Sequence, residues 1–257
     1  MKAYIFGSCS GTEPFEKRHH TSFALEINGQ VYWFDAGENC SYTAHLLGVD
    51  LLSVSDIFIS HGHMDHVGGL PNLLWNIRKL SYVKHTMPKF DGITVHMPNN
   101  ETFDGVMTIL KNTEDGYRCK YETRSKRIRD AVIMEDENAS VEAIHNLHLP
   151  EAEEGFISFS FRLKAEGKKV VYSGDMKSFD DIMPFVKEGC DALFVETGHH
   201  SAVEICKKIA DENLDVKKLF FIHHGMEILT NYEDVLSECR KINPTVTFCN
   251  DKDVFDI

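Results

Sequence analysis

Apolar residues fall in short runs rich in β-branched and aromatic side chains, broken by glycine, asparagine and aspartate, the pattern of buried strands between turns. Residues 3–6 read as a first strand that stops at Gly7-Ser8. Residues 22–27 and 31–34 form a hairpin across Asn28-Gly29, the pair a two-residue turn favours. A short helix is expected over 43–47 and a strand over 56–59. A helix then starts at Gly69-Leu70-Pro71 and runs through Trp75 and Ile77, with proline in the first turn, where no amide hydrogen is missed.

The signal weakens over residues 81–140, where a strand at 93–97 and a helix at 102–111 stand out. Order returns at Ser140. A strand over 141–149 ends in His145 and His148, and a second hairpin pairs 156–163 with 169–172 around Ala165-Glu166-Gly167, closing on Ser173-Gly174-Asp175. Helix and strand then alternate: helix 179–187, strand 192–195, helix 201–211, strand 219–222, helix 232–241 and strand 245–248. No linker, low-complexity tract or solenoid-length period interrupts this. We expect one domain over residues 1–257, of α/β class, with two mixed β-sheets face to face and helices outside.

Composition narrows the class. The 257 residues are 42% hydrophobic, ordinary for a folded soluble domain. Forty acidic against 27 basic residues give −13 at pH 7, which repels polyanions at long range and disfavours a broad nucleic-acid surface. Six basic residues between Tyr117 and Arg129 (Arg118, Lys120, Arg124, Lys126, Arg127, Arg129) run against that balance; such runs usually form a solvated face. Seven scattered cysteines, never in Cys-x-x-Cys, argue for reduced thiols in a cytoplasmic protein. The N-terminus is too short in apolar length for a signal peptide, and no membrane-crossing span is expected.

The chemistry concentrates after the strand at 56–59, in Ser60-His61-Gly62-His63-Met64-Asp65-His66. Imidazole and carboxylate suit zinc, iron or manganese. Gly62 is expected to let the chain turn tightly while alternate side chains converge on one point and the next pair on another, so that one loop serves two metals. Further donors lie at strand ends: His148, Asp175 and His223. His145 competes with His148, and His224 with His223.

The order His61-x-His63-x-Asp65-His66, a later histidine, an aspartate after Tyr172-Ser173-Gly174 and a histidine after an apolar strand resembles the metallo-β-lactamase superfamily. Within it the order is similar to the branch of tRNase Z and related small phosphodiesterases. The resemblance covers nearly the whole chain and implies a four-layer αββα sandwich. It implies that His61, His63 and His148 hold one metal, that Asp65, His66 and His223 hold the other, and that Asp175 bridges. Asp35, in Phe34-Asp35-Ala36-Gly37, takes a structural role beneath the metals. His199 matches the histidine that faces the scissile phosphate, with Glu196 placed to orient it. Ile222 departs from the branch's threonine before the last histidine.

The implied enzyme is a hydrolase in which two divalent ions, zinc first and manganese or iron as alternatives, share a hydroxide hydrogen-bonded by Asp65 while His199 steadies or protonates the leaving oxygen. The tRNase Z branch usually carries a long arm between the third histidine's strand and the aspartate. Residues 156–175 here hold only a hairpin, which with the net charge favours a small phosphodiester or nucleotide-type substrate. Lys17, Arg18 or the run near Arg124 are candidate phosphate contacts. The rivals are tRNA 3′ processing, thioester or lactone hydrolysis and a diiron oxidoreductase, the last disfavoured by His63; a homodimer is left open.

Overall fold

The computed structural model describes residues 1–12 and 14–257. The first sheet takes β1 (Lys2–Gly7), β2 (Ser22–Ile27), β3 (Gln30–Phe34), β4 (Val54–Phe58), β5 (Ile93–Met97) and β6 (Thr123–Arg127). The second takes β7 (Ala131–Glu135), β8 (Ser140–His145), β9 (Phe159–Ala165), β10 (Lys168–Tyr172), β11 (Ala192–Thr197), β12 (Leu219–His224) and β13 (Val246–Phe248). A last strand, β14 (Val254–Asp256), returns to the first sheet beside β1. Among the described residues each sheet has seven strands, in the orders β14-β1-β2-β3-β4-β5-β6 and β13-β12-β11-β10-β9-β8-β7. Both are mixed: antiparallel hairpins at one side, parallel strands at the other.

Side-chain alternation builds the layers. Along β3, Phe34 faces the second sheet while Trp33 faces outward, and along β12 Phe220 and Ile222 face inward while Leu219 and Phe221 face outward. The central strands therefore read as unbroken apolar runs, buried on both faces. Aromatic rings close the gap between sheets: Phe34 meets Phe161 at 5.9 Å and Phe23 meets Tyr172 edge-on at 5.0 Å. Helices α1 (Cys40–Leu46), α2 (Met64–Val67), α3 (Leu70–Lys84) and α4 (Asn100–Lys111) follow strands of the first sheet; α1, α3 and α4 cover its outer face. Helices α5 (Met183–Val186), α6 (Ala202–Asp211) and α7 (Met226–Ile242) cover the second. The result is the αββα sandwich.

Both expected hairpins are present. Asn28 and Gly29 have φ of 51° and 76°, and Glu166 and Gly167 have 52° and 74°, the paired positive values that a type I′ turn requires. Other expectations shift. The helix over 179–187 is a 3-10 turn, Phe179–Ile182, followed by α5, with Pro184 in its first turn. The strand expected over 141–149 ends at His145, and the next begins at Phe159, not 156. Gly62 is not at positive φ, and a β-carbon there would meet only Thr102 Oγ1 at 3.9 Å; the loop does not need a glycine for its turn.

Candidate metal centre

The donors gather where strand ends of the two sheets meet. β4 delivers Ser60 and His61; His63 is the N-cap of α2, whose first turn carries Asp65 and His66. The second sheet supplies His148 beyond β8, Asp175 beyond β10 and His223 near the end of β12. His223 sits at φ 55°, beside an irregularity in the pairing of β11 with β12. Successive strand residues face opposite ways. His224 accordingly turns inward, its Nδ1 3.0 Å from Thr197 Oγ1 and its Nε2 donating to the Cys249 carbonyl at 2.8 Å. His145 is likewise occupied elsewhere, 2.6 Å from Asp130 Oδ2 and stacked on Phe156.

Two donor sets result, joined at one carboxylate. His61 Nε2 and His148 Nε2 each lie 3.7 Å from Asp175 Oδ2, and His63 Nδ1 lies 2.9 Å and 3.4 Å from those two nitrogens. On the other side, His66 Nε2 and His223 Nε2 lie 3.3 Å from Asp175 Oδ1 and 3.4 Å and 3.1 Å from Asp65 Oδ2. A tetrahedral ion with bonds of about 2.0 Å separates its ligands by roughly 3.3 Å, the scale of both sets. Within the second set, His66 Nε2 and Asp175 Oδ1 are buried without a hydrogen bond of good geometry. Buried polar atoms of this kind call for a missing partner. The residues fit a pair of divalent cations.

The charges agree. Burial would raise Asp175, but His223 and His66 hold its carboxyl well below the usual range, and Asp65 is likewise held down against burial by His223 and His66. Burial would lower His66 and His223, yet the facing carboxylates push His66 well up and His223 up to about 9. Protons on these two imidazoles stand where cationic charge belongs. Burial, then the charge on His66, keeps His61 neutral and ready as a donor. Four carboxylates, Asp35, Asp65, Asp175 and Glu196, are at the site, matching the charge of two dications.

Outer contacts fix the donors. Asp35 accepts from the Ser60 amide (2.7 Å), Ser60 Oγ (2.8 Å), Tyr172 Oη (2.6 Å) and His66 Nδ1 (2.8 Å), which leaves His66 Nε2 for an ion. Glu196 accepts from the His199 amide at 2.9 Å and from its Nδ1 at 3.1 Å. That hydrogen bond, against burial, raises the His199 pKa. His199 is half-exposed at the rim of a cavity of about 310 Å³, opposite Ser10, Gly11, Thr12 and Met226. A β-carbon on Gly198 would lie 2.6 Å from His223 Nδ1, and one on Gly11 2.9 Å from the Asp65 carboxylate, so both positions keep the cavity open. Gly198 and Met226 escaped sequence reasoning, and the contact of Tyr172 with Asp35 was not foreseen, because a distant contact carries no local signal.

The expected phosphate contacts lie elsewhere. Arg18 donates to Ser8 Oγ, the Cys249 carbonyl and Asn250 Oδ1, locking the chain's two ends, and Lys17 is an exposed partner of Glu16. Arg124 bonds Thr94 and Glu122, and Arg127 pairs with Glu154. No helix among the described residues is long and apolar enough to cross a membrane.

Fold and site together define a chain of metallo-β-lactamase fold with a candidate metal centre between its two sheets. The chain matches the family described as Anti-Pycsar protein Apyc1 over residues 1–235, and it belongs to that family. It is 43% identical to ribonuclease Z of Treponema pallidum over 74 residues, 29% of this chain and only 24% of that protein, so this match spans about a quarter of the relative's length. It is 24% identical to ribonuclease Z of Lachnospira eligens over 94% of this chain and 93% of that one. Among solved structures it resembles the metallo-β-lactamase fold protein YhfI from Bacillus subtilis (TM-score 0.75, 13% identity, 99% and 98% of the two chains). It also resembles the short form of human tRNase Z (TM-score 0.70, 20% identity, 100% and 99%).

Proposed function

We propose that this chain is a phosphodiesterase that hydrolyses a small, nucleotide-type phosphodiester at a dinuclear centre held by His61, His63, His148, Asp65, His66 and His223, with Asp175 bridging. The observation that carries the reading is the split of Asp175, one carboxylate oxygen to each donor set, beside an open cavity. A divalent pair held by these residues would supply Lewis acidity towards a phosphoryl oxygen and a water acidified towards neutral pH, zinc first by donor type.

The chain's own groups do the rest. Asp65 borders both its donor set and the cavity, placed to accept a hydrogen bond from water there. Glu196 holds His199 by Nδ1, so Nε2 is its free nitrogen, and the raised pKa favours the protonated ring. His199 therefore steadies charge on the phosphoryl group and donates to the leaving oxygen. Gly11, Gly198 and Gly225 leave room for one phosphodiester group and its flanking organic parts. A cavity of about 310 Å³ suits a small ligand.

The near full-length likeness to a ribonuclease Z favours a second reading, cleavage of tRNA 3′ ends. Against it stand the net charge of −13 and the tight turn at Glu166-Gly167, where an arm would emerge. The deciding experiment is a panel on protein of measured metal content, with Asp175→Ala as control. Hydrolysis of bis(p-nitrophenyl) phosphate and cyclic nucleotides is expected. Cleavage confined to a tRNA precursor selects the second reading, and cleavage confined to a thioester or lactone overturns both.

A further inference from the structure

A second cavity, of about 560 Å³, lies at the other end of the first sheet. The metal loop follows the carboxyl end of β4, whereas this cavity is formed by the C-terminal end of α3 and the segment leading into β6, at the amino ends of the parallel strands. The fifteen residues of α3 separate the two by about 22 Å at 1.5 Å per residue.

Its lining is unlike the rest of this acidic chain. Arg78, Arg118 and Lys120 face one described carboxylate, Asp115. The Arg78 side chain is 8% exposed; its Nε donates to the Arg118 carbonyl at 3.1 Å and its Nη2 to Asp115 at 3.2 Å. A guanidinium carries five N–H donors, so donors remain for a ligand. Arg118 and Lys120 have no hydrogen-bond or ion-pair partner for their side chains among the described residues. Two phenols share the cavity: Tyr82, 74% exposed, and Tyr121, whose buried hydroxyl has no hydrogen-bond partner. Cationic forks bind phosphate, and exposed phenol rings stack on flat bases.

We propose that this cavity is a second, non-catalytic ligand site for a small phosphorylated aromatic of the nucleoside monophosphate class, with phosphate on Arg78, Arg118 and Lys120 and the base against Tyr82. The volume is that of a pocket for one such molecule, and net positive charge among the described side chains sets the sign. Buried Tyr121 offers its hydroxyl as a specific polar contact.

Calorimetric titration of metal-loaded protein with uridine and adenosine 5′-monophosphates, the parent nucleosides and inorganic phosphate tests this. The expected result is nucleotide binding stronger than either fragment. Arg118→Glu/Lys120→Glu, both exposed positions, and Tyr82→Ala should each weaken it roughly tenfold or more, the size of a lost charge-assisted hydrogen bond or stacked ring, with hydrolysis of bis(p-nitrophenyl) phosphate unchanged. Affinity unchanged in all these variants, binding lost on Asp175→Ala alone, or phosphate bound as tightly as the nucleotide would each overturn the proposal. Because the readout is binding far from the metals, it can fail while the hydrolase reading stands, and the reverse.

Discussion

Asp35 holds His66 by Nδ1 at 2.8 Å and is itself held by Ser60 and by Tyr172 from the opposite sheet. The carboxylate fixes the ring's tautomer and orientation, so Nε2 is presented without a search through rotamers. Asp35→Ala should weaken metal affinity about 10–100-fold, measured by competition with a chelator. Tyr172→Phe removes one of four hydrogen bonds and should cost about 1 kcal/mol of stability, read by denaturant unfolding, with metal stoichiometry intact.

Loss of the shared carboxylate should be felt by both ions. Asp175→Ala is expected to bind less metal than the parent in elemental analysis and to lose the proposed phosphodiesterase activity. Full metal content with retained turnover would remove Asp175 from the site.

The two ambiguous histidine pairs separate by stoichiometry. His148→Ala and His223→Ala should lose metal. His145→Ala should keep it, since that ring contacts Asp130 and Phe156 instead. His224→Ala should also keep it but unfold at lower denaturant, because it leaves the Thr197 and Cys249 partners in a buried cavity.

Metal uptake should depend on pH more steeply than for free imidazoles. His66 and His223, the latter up to about 9, retain protons because Asp175 and its neighbours overcome the effect of burial. An ion must displace those protons, so affinity falls as pH drops. In ion-free protein the sign reverses. A raised folded pKa gives stability that is complete below about 6.5 and lost as pH rises through about 9. Melting curves of stripped protein should shift down over that window, while loaded protein should not.

His199→Ala should lower kcat by about 10²–10⁴-fold with metal content unchanged. Glu196→Gln keeps the shape but weakens the hold on Nδ1, so the alkaline limb of the pH–rate profile should move to lower pH. A flat profile in both parent and variant would deny His199 a proton-transfer role.

Much of the candidate site could be read from residue order because its candidate donors sit at strand ends, where local sequence marks them: His61 after β4, Asp175 after β10, His223 at the end of β12. The resemblance alone favoured His223 over His224; the physical reason, strand parity together with the irregular pairing of β11 and β12, is announced by no local pattern. Likewise β7 was missed because its outer face is exposed, and β14 because three residues pairing with a strand some 250 positions earlier give no periodic signal. The basic run resolved into an edge strand, β6, and a separate pocket, a division that charge counting cannot make.

Each donor set draws from both sides of the sandwich. His61 and His63 need His148, and Asp65 and His66 need His223, with Asp175 completing either. The ions would thus act as two rivets through one seam, and neither half of the chain, expressed alone, would carry a finished socket for even one of them.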